Sequence, residues 1–402
     1  MNWRLVAIPA SIVPLLIMLI FTRISPNDLF AVGLFPFLIS VASAMGKVML
    51  QALRFKYFIT AFIGHGVSST GKIISARLAG EFVTQTTPSY VGGELVRVAF
   101  LTKNGVPPGR AAWVTTMEII ADVFVGTMLA FVAGALAIYK GGNFIGVTII
   151  LVAIPTLGFW LLLVIFSAKR NLRLPSFSVR IMRRFTAKEK AEKMVESTNS
   201  AIADLCKMSR ENFNSLKSVK IFVIGIVITF LAFVLQGVSF MVLADSVGSH
   251  IGIFGSLLAT SASTVLSTLP ITIGGSGLAE LGIWAYISNL NGIPSLNDLV
   301  KHSQLNVIIA WRIASYHIPL FIMWIALMRL TIGKVSLENK EREKDIPSST
   351  HSIVFDEKKH VPGETTTTID NNNNNATNNC GNISNISSKK RSTIDEYSDD
   401  KI

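Results

Sequence analysis

Seven stretches of the chain are almost wholly apolar: 5–21, 29–50, 111–139, 144–166, 219–244, 251–269 and 305–330. Several exceed the roughly 18–20 residues that cross a bilayer as a helix. In lipid the backbone has to satisfy its own hydrogen bonds, so runs of this kind fold as helices. The pattern predicts an all-α fold, a polytopic transmembrane helical bundle. It excludes a soluble enzyme, a β-barrel, a secreted disulfide scaffold and a single-span receptor.

Two regions break the pattern. Between Lys56 and Lys103 no clean apolar run exists; Gly64, Gly66, Gly71, Arg77, Glu81, Pro88, Gly92, Gly93, Glu94 and Arg97 interrupt it. Short helices that dip in and return are expected there, because irregular backbone at membrane depth survives only under a cover of protein or beside a water-filled cavity. The second break is the loop 270–277, with 251–269 descending to it and 278–289 returning. Six full spans (5–21, 29–50, 111–139, 144–166, 219–244 and 305–330) plus two broken, re-entrant hairpins follow, about eight spans by hydropathy. The run 5–21 lies behind Arg4 as a signal peptide would, but it lacks a small-residue cleavage site and reads as a retained first helix.

Only 15% of the residues are charged, against roughly 25% in an ordinary soluble domain, and the net charge is 37 − 25 = +12. Much of that surplus sits in 168–220, where thirteen Lys/Arg face five Asp/Glu, a net of +8. The positive-inside rule makes this loop cytoplasmic. Counting spans from it puts Arg4, Arg54, Lys56, Lys103 and Arg110 inside as well, with Arg23 and Lys140 as outside exceptions. Arg54 and Lys56 are read as closing the second span. Within the loop, 187–217 is either an amphipathic helix on the anionic inner leaflet or a solvated linker. The tail 333–402, with ten Lys/Arg, twelve Asp/Glu and an Asn run at 371–375, reads as disordered and cytoplasmic, leaving 1–332 as the membrane domain. Cys206 and Cys380 both fall on the cytoplasmic side, so no disulfide is expected. The six His and two Cys have no metal-ligand spacing, and no metal or cofactor is expected. Aromatics are sparse in the basic loop, so no nucleic-acid partner is expected either.

The two breaks resemble each other. Pro88-Ser-Tyr-Val-Gly92-Gly93 is followed by Asn104-Gly105-Val106-Pro107; Pro270-Ile-Thr-Ile-Gly274-Gly275, continuing to Gly277, is followed by Asn291-Gly292-Ile293-Pro294. The offsets are 270 − 88 = 182 and 291 − 104 = 187. Three spans separate the two passages, and an odd number inverts orientation, so the repeat is an inverted one. Gly/Pro-interrupted segments at matching places in two halves point to a transporter's central site. Kinking and close packing alone also use such glycines.

These residues also resemble the transmembrane region of the lysylphosphatidylglycerol synthase/flippase-like family. Its pattern is matched by Pro88, Gly93, Glu94 and Arg97, then Gly105-Val-Pro107, then Glu118 and Asp122; by Leu269 to Glu280 in the second element; and by Arg312. The resemblance covers most of 1–332. Ile119 and Ala279 stand where the family often has Arg. It implies a lipid phosphate or a polyprenyl-linked sugar as cargo, with membrane lipids and a lipid-modifying enzyme as partners.

Eight ionisable residues lie in or beside apolar segments: Arg77, Glu81, Glu94, Arg97, Glu118, Asp122, Glu280 and Arg312. Each costs about 2.5–3.5 kcal/mol at the bilayer centre, so they cannot all face lipid. Arg77 and Glu81 are four apart and Glu94 and Arg97 three apart, each pair within reach on one helix face. Glu118 and Asp122 stack two carboxylates on one face, which needs a cation between them; Arg312 is the candidate. Either the set lines a polar cavity that handles a headgroup, or it is structural ion pairs and snorkelling helix ends. The function expected is translocation of a phospholipid or polyprenyl-linked lipid across the plasma membrane. The alternative is a membrane subunit of, or accessory to, a lipid-modifying enzyme. No catalytic motif is visible in the sequence itself.

Overall fold

The computed structural model describes residues 32–87, 92–169, 188–213, 215–269, 275, 277–290 and 303–330. Among these, every regular element is a helix: α1 (Leu34–Phe62), α2 (Thr70–Thr86), α3 (Gly93–Lys103), α4 (Pro108–Tyr139), α5 (Asn143–Lys169), α6 (Lys188–Phe213), α7 (Leu216–Ser246), α8 (Gly252–Ser267), α9 (Leu278–Leu290) and α10 (Ser303–Arg312). The last continues through a π turn (Ile313–His317) and on as helix to residue 330. Five helices are long and apolar enough to cross a membrane: α1, α4, α5, α7 and the last, over Leu305–Leu330. They are five of the six full spans expected. The sixth, 5–21, lies outside the described residues, which therefore do not fix the total at about eight. Pro88, Pro270, Gly274, the turn 291–294 and the tail 333–402 lie outside them too.

The two breaks in the hydropathy pattern are helical hairpins. Helices α2, α3, α8 and α9 have 17, 11, 16 and 13 residues. At about 1.5 Å per residue the longest reaches roughly 25 Å, short of a hydrocarbon core of about 30 Å. Glycine permits both turns. Gly92 and Gly277, each just before a returning helix, have φ of +124° and +86°, a region that L side chains avoid. Gly93 is required by proximity: a Cβ there would stand 2.2 Å from the Gly80 carbonyl oxygen and 2.0 Å from Thr84 Oγ1.

Helices α1 and α7 pack antiparallel against each other. Ser40 Oγ meets Ser239 Oγ at 2.8 Å, Lys47 Nζ donates to Gln236 Oε1 at 2.7 Å, Arg54 Nη1 donates to Thr229 Oγ1, and the Phe58 ring sits on Gly225. As the numbers rise on one helix they fall on the other. The two helices hold equivalent places before the two hairpins, so the antiparallel course is what an inverted pair requires. Gln51 and Gln236 (236 − 51 = 185) and Gly92 and Gly277 (277 − 92 = 185) then correspond at one offset. This refines the motif offset of 182, because the second turn reaches its glycine cap three residues later.

Each hairpin is covered by the long helix of the other half. Phe82 of α2 packs with Tyr316, Leu320 and Met323 of the last helix, while Leu257 of α8 packs with Val125 of α4. Helix α6 is docked, not free: Cys206 and Ser209 are buried, Ser167 Oγ of α5 donates to Ser209 Oγ at 3.0 Å, and Gly109 of α4 lies against Asp204. The solvated-linker reading fails for this segment, since one stripe of it is covered by protein.

A charged cavity between two broken hairpins

The charges converge on α4. Glu118 is ten residues from Pro108, so roughly 15 Å along the helix, and Asp122 is seventeen from Tyr139, roughly 25 Å. The position is deep within a span. Apolar clusters flank it: Trp113, Val114 and Met117 on one side, Ala130, Ala133 and Ala137 on the other.

Glu118 is fully buried and accepts from three guanidinium groups. Arg77 Nε lies 2.5 Å and Arg54 Nη2 3.3 Å from its Oε1, and Arg97 Nη1 2.7 Å from its Oε2. Asp122, one turn further on, accepts from Arg54 Nη1 and Nη2, each at 2.7 Å, and from Gln51 Nε2 at 3.4 Å. The expected local pairs are present. Arg77 Nη1 donates to Glu81 at 2.5 Å and Arg97 Nη2 to Glu94 at 3.2 Å. Planar guanidinium forks can serve two carboxylates at once, which is why these bridges are arginines.

Two sequence expectations need correction. The cation between Glu118 and Asp122 is Arg54, not Arg312. And Arg54 does not close a span at the cytoplasmic edge: α1 runs on to Phe62, leaving Arg54 fully buried inside it. Partners on α4 and α7 compensate its burial, which a count of apolar residues does not register. Lys47 and Gln51 were missed with it. The signal was there, since Lys47, Gln51 and Arg54 recur at spacings of four and three, one face of a helix.

Arg312 belongs to the second hairpin. Its Nε lies 2.8 Å from Glu280 Oε1 without the alignment of a hydrogen bond, and its guanidinium carbon sits 4.0 Å from the centre of the Tyr316 ring. Tyr316 in turn donates its hydroxyl to the Gln85 carbonyl of α2 at 2.9 Å, so the π turn ties the second hairpin's arginine to the first hairpin. Glu94 and Glu280 play matching parts. Each sits in the first turn of a returning helix and accepts from the backbone N–H of the preceding cap glycine, Gly92 at 2.9 Å and Gly277 at 2.7 Å. A carboxylate there satisfies an orphan donor at the positive end of the helix.

Between these groups lies a cavity of about 650 Å³. Six of the eight predicted charges line it, and Glu118 and Glu280 hold lining arginines from behind. Arg77, Glu81, Glu94, Arg97, Asp122 and Arg312 line it, with Lys47, Gln51 and Gln236. Glu280 supports Arg312. Gly92 from one turn and Ala279 from beside the other reach the same space, so the hairpins do meet. Gly93, Gly275 and Gly277 lie in the described turns without lining it. Ile119 and Ala279 line it as apolar surface. Helix α5 adds Thr156, Phe159 and Trp160 just after its internal Pro155. Among the described residues no cluster of His, Cys, Asp and Glu could hold a metal.

A family model described as the lysylphosphatidylglycerol synthase TM region matches residues 6–322. A relative in Archaeoglobus fulgidus, a UPF0104 membrane protein, is 26% identical over 280 residues, 68% of this chain and 80% of its own. The match spans the hairpins, the charged helix α4 and Arg312, and the chain belongs to the lysylphosphatidylglycerol synthase TM region family.

Proposed function

We propose that this multi-pass membrane protein moves a phospholipid or a polyprenyl-linked lipid from one leaflet to the other, in the plasma membrane. The observation that carries the reading is the cavity of about 650 Å³, polar on its charged side and lined by both broken hairpins and the long helices between them. That volume is in the range of small-ligand pockets and suits a headgroup, not a pair of acyl chains. The headgroup crosses through the slot while the tails stay in lipid. The basic loop 168–220 and the tail 333–402 face the cytoplasm in this reading, on the strength of the loop's surplus charge.

The test uses the full chain in vesicles carrying a trace of fluorescent phospholipid, with a membrane-impermeant reductant added outside. In protein-free vesicles only the outer-leaflet probe bleaches. With the protein, bleaching runs on into the inner-leaflet pool, and Arg312→Ala slows it at least about tenfold, because it leaves the balanced cavity with one uncompensated carboxylate, Glu280. Bleaching that stops at the outer leaflet, for phosphatidylglycerol, phosphatidylethanolamine and a polyprenyl phosphate alike, overturns the reading. The alternative is a membrane subunit of, or accessory to, a lipid-modifying enzyme, which the family's description as a synthase region favours. Aminoacyl or glycosyl transfer to lipid by the purified chain would decide for it.

A further inference from the structure

The charge inventory of the cavity and its wall balances. Lys47, Arg54, Arg77, Arg97 and Arg312 face Glu81, Glu94, Glu118, Asp122 and Glu280, so 5 − 5 = 0. The balance is unevenly bonded. The four arginines all have carboxylates within ion-pair distance. Lys47 has none among the described residues; its ammonium donates to the neutral Gln236 Oε1 at 2.7 Å and lies 5.8 Å from the centre of the Phe233 ring. Gln236 is itself oriented by donating to Thr264 Oγ1 at 3.2 Å, which turns its carbonyl to the lysine. An ammonium has three donors, so Lys47 lines the cavity with donors to spare. The surplus negative charge is equally reachable. Without Lys47 the first half holds three arginines against four carboxylates, and the side chains of Glu81, Glu94 and Asp122 keep 17%, 28% and 28% exposure.

We infer that the cavity recognises a zwitterionic headgroup, a phosphodiester next to an ammonium, with Lys47 taking the phosphate and the part-exposed carboxylates Glu81, Glu94 and Asp122 taking the cation. This rests on the translocation reading and names its substrate class. The physical ground is that a net charge brought into a protein-lined, already neutral site gives up part of its hydration without compensation. A zwitterion adds no net charge, and each of its poles meets an opposite one. An arginine that took the phosphate would have to release Glu118, Glu81, Glu94 or, for Arg312, Glu280, whereas Lys47 gives up only a bond to an amide.

The experiment is calorimetric titration of the full chain in detergent with dihexanoyl phosphatidylethanolamine, dihexanoyl phosphatidylglycerol and inorganic phosphate. The parent is expected to bind the zwitterion about tenfold or more tighter than the anionic lipid. Lys47→Gln and Lys47→Met each weaken the zwitterion about tenfold or more while melting at or above the parent temperature, since neither buries a charge. Glu81→Gln, which leaves the site with one positive charge in excess, raises affinity for the anionic lipid. Parent binding of the anionic lipid as tight as the zwitterion overturns the inference, as does Lys47→Met binding both as the parent does. Saturable inorganic phosphate with no lipid binding also overturns it. The titration reads binding alone, so a chain that binds as expected but fails the vesicle assay loses the translocation reading and keeps the site.

Discussion

The two hairpins share a plan and differ in how they are fastened. In each, a short helix turns at a glycine of positive φ, and a first-turn glutamate caps that glycine and faces an arginine. The first hairpin is then wired into α1 and α4 through Arg77, Arg97, Arg54, Glu118 and Asp122. In the second, Glu280 pairs with Arg312, Arg312 stacks on Tyr316, and Gln236 of α7 donates to Thr264 of α8. The difference separates two jobs that a repeat would otherwise share. Multiple charge-assisted bonds in low dielectric fix geometry and are costly to break. An ion pair resting on an aromatic face parts more readily than a shared network of four or more charges, so the second hairpin is expected to yield before the first.

The sharpest way to break the comparison is to remove the central acceptor of each half. Glu118→Gln leaves three guanidinium groups without their shared carboxylate and should cost about 3–5 kcal/mol of stability. Glu280→Gln should cost about 1–3 kcal/mol. Melting of both variants in one detergent checks this; equal losses would erase the distinction. A middle-sized effect comes from the packing of the hairpins themselves. Gly93→Ala drives a Cβ into the Gly80 carbonyl, where backbone cannot yield, and should cost about 1–3 kcal/mol. At Gly282 of the second hairpin a Cβ would meet Leu266 Cδ1 and Ser263 Cα at 3.1 Å. There Gly282→Ala should be close to neutral, because the helix-propensity gain of about 1 kcal/mol offsets the crowding. Among the side-chain contacts the smallest effect is Tyr316→Phe, which keeps the ring under Arg312 but removes the hydroxyl bond to Gln85, about 0.5–1.5 kcal/mol. If the second hairpin yields before the first, this variant should speed lipid movement in vesicles while lowering the melting temperature slightly.

What could be read from the sequence follows from the range of the interactions. Apolar length marks the spans, and failure of apolar length marks the hairpins. The pairs Arg77–Glu81 and Glu94–Arg97 were legible because helix geometry alone puts residues three or four apart together. The partner of Glu118 and Asp122 was not, because Arg54 is 118 − 54 = 64 residues away and reaches them only once α1 packs on α4. Lys47 and Gln51 were hidden for a related reason. They lie on the buried stripe of an otherwise apolar helix, where hydropathy averages them away, and only the spacing from Ser40 through Ala44, Lys47, Gln51 and Arg54 betrays a polar face. Gln236 shows its meaning only as the counterpart of Gln51 across the antiparallel pair.

The exchange of cover between halves has a consequence for biogenesis. Val48 and Phe82 are sheltered by Tyr316, Leu320 and Met323, which the ribosome adds more than two hundred residues later. During most of synthesis the nascent chain therefore lacks this cover beside its ionic cluster. The packing of Val48 and Phe82 is thus tied to the completion of Leu305–Leu330, far downstream in the order of synthesis.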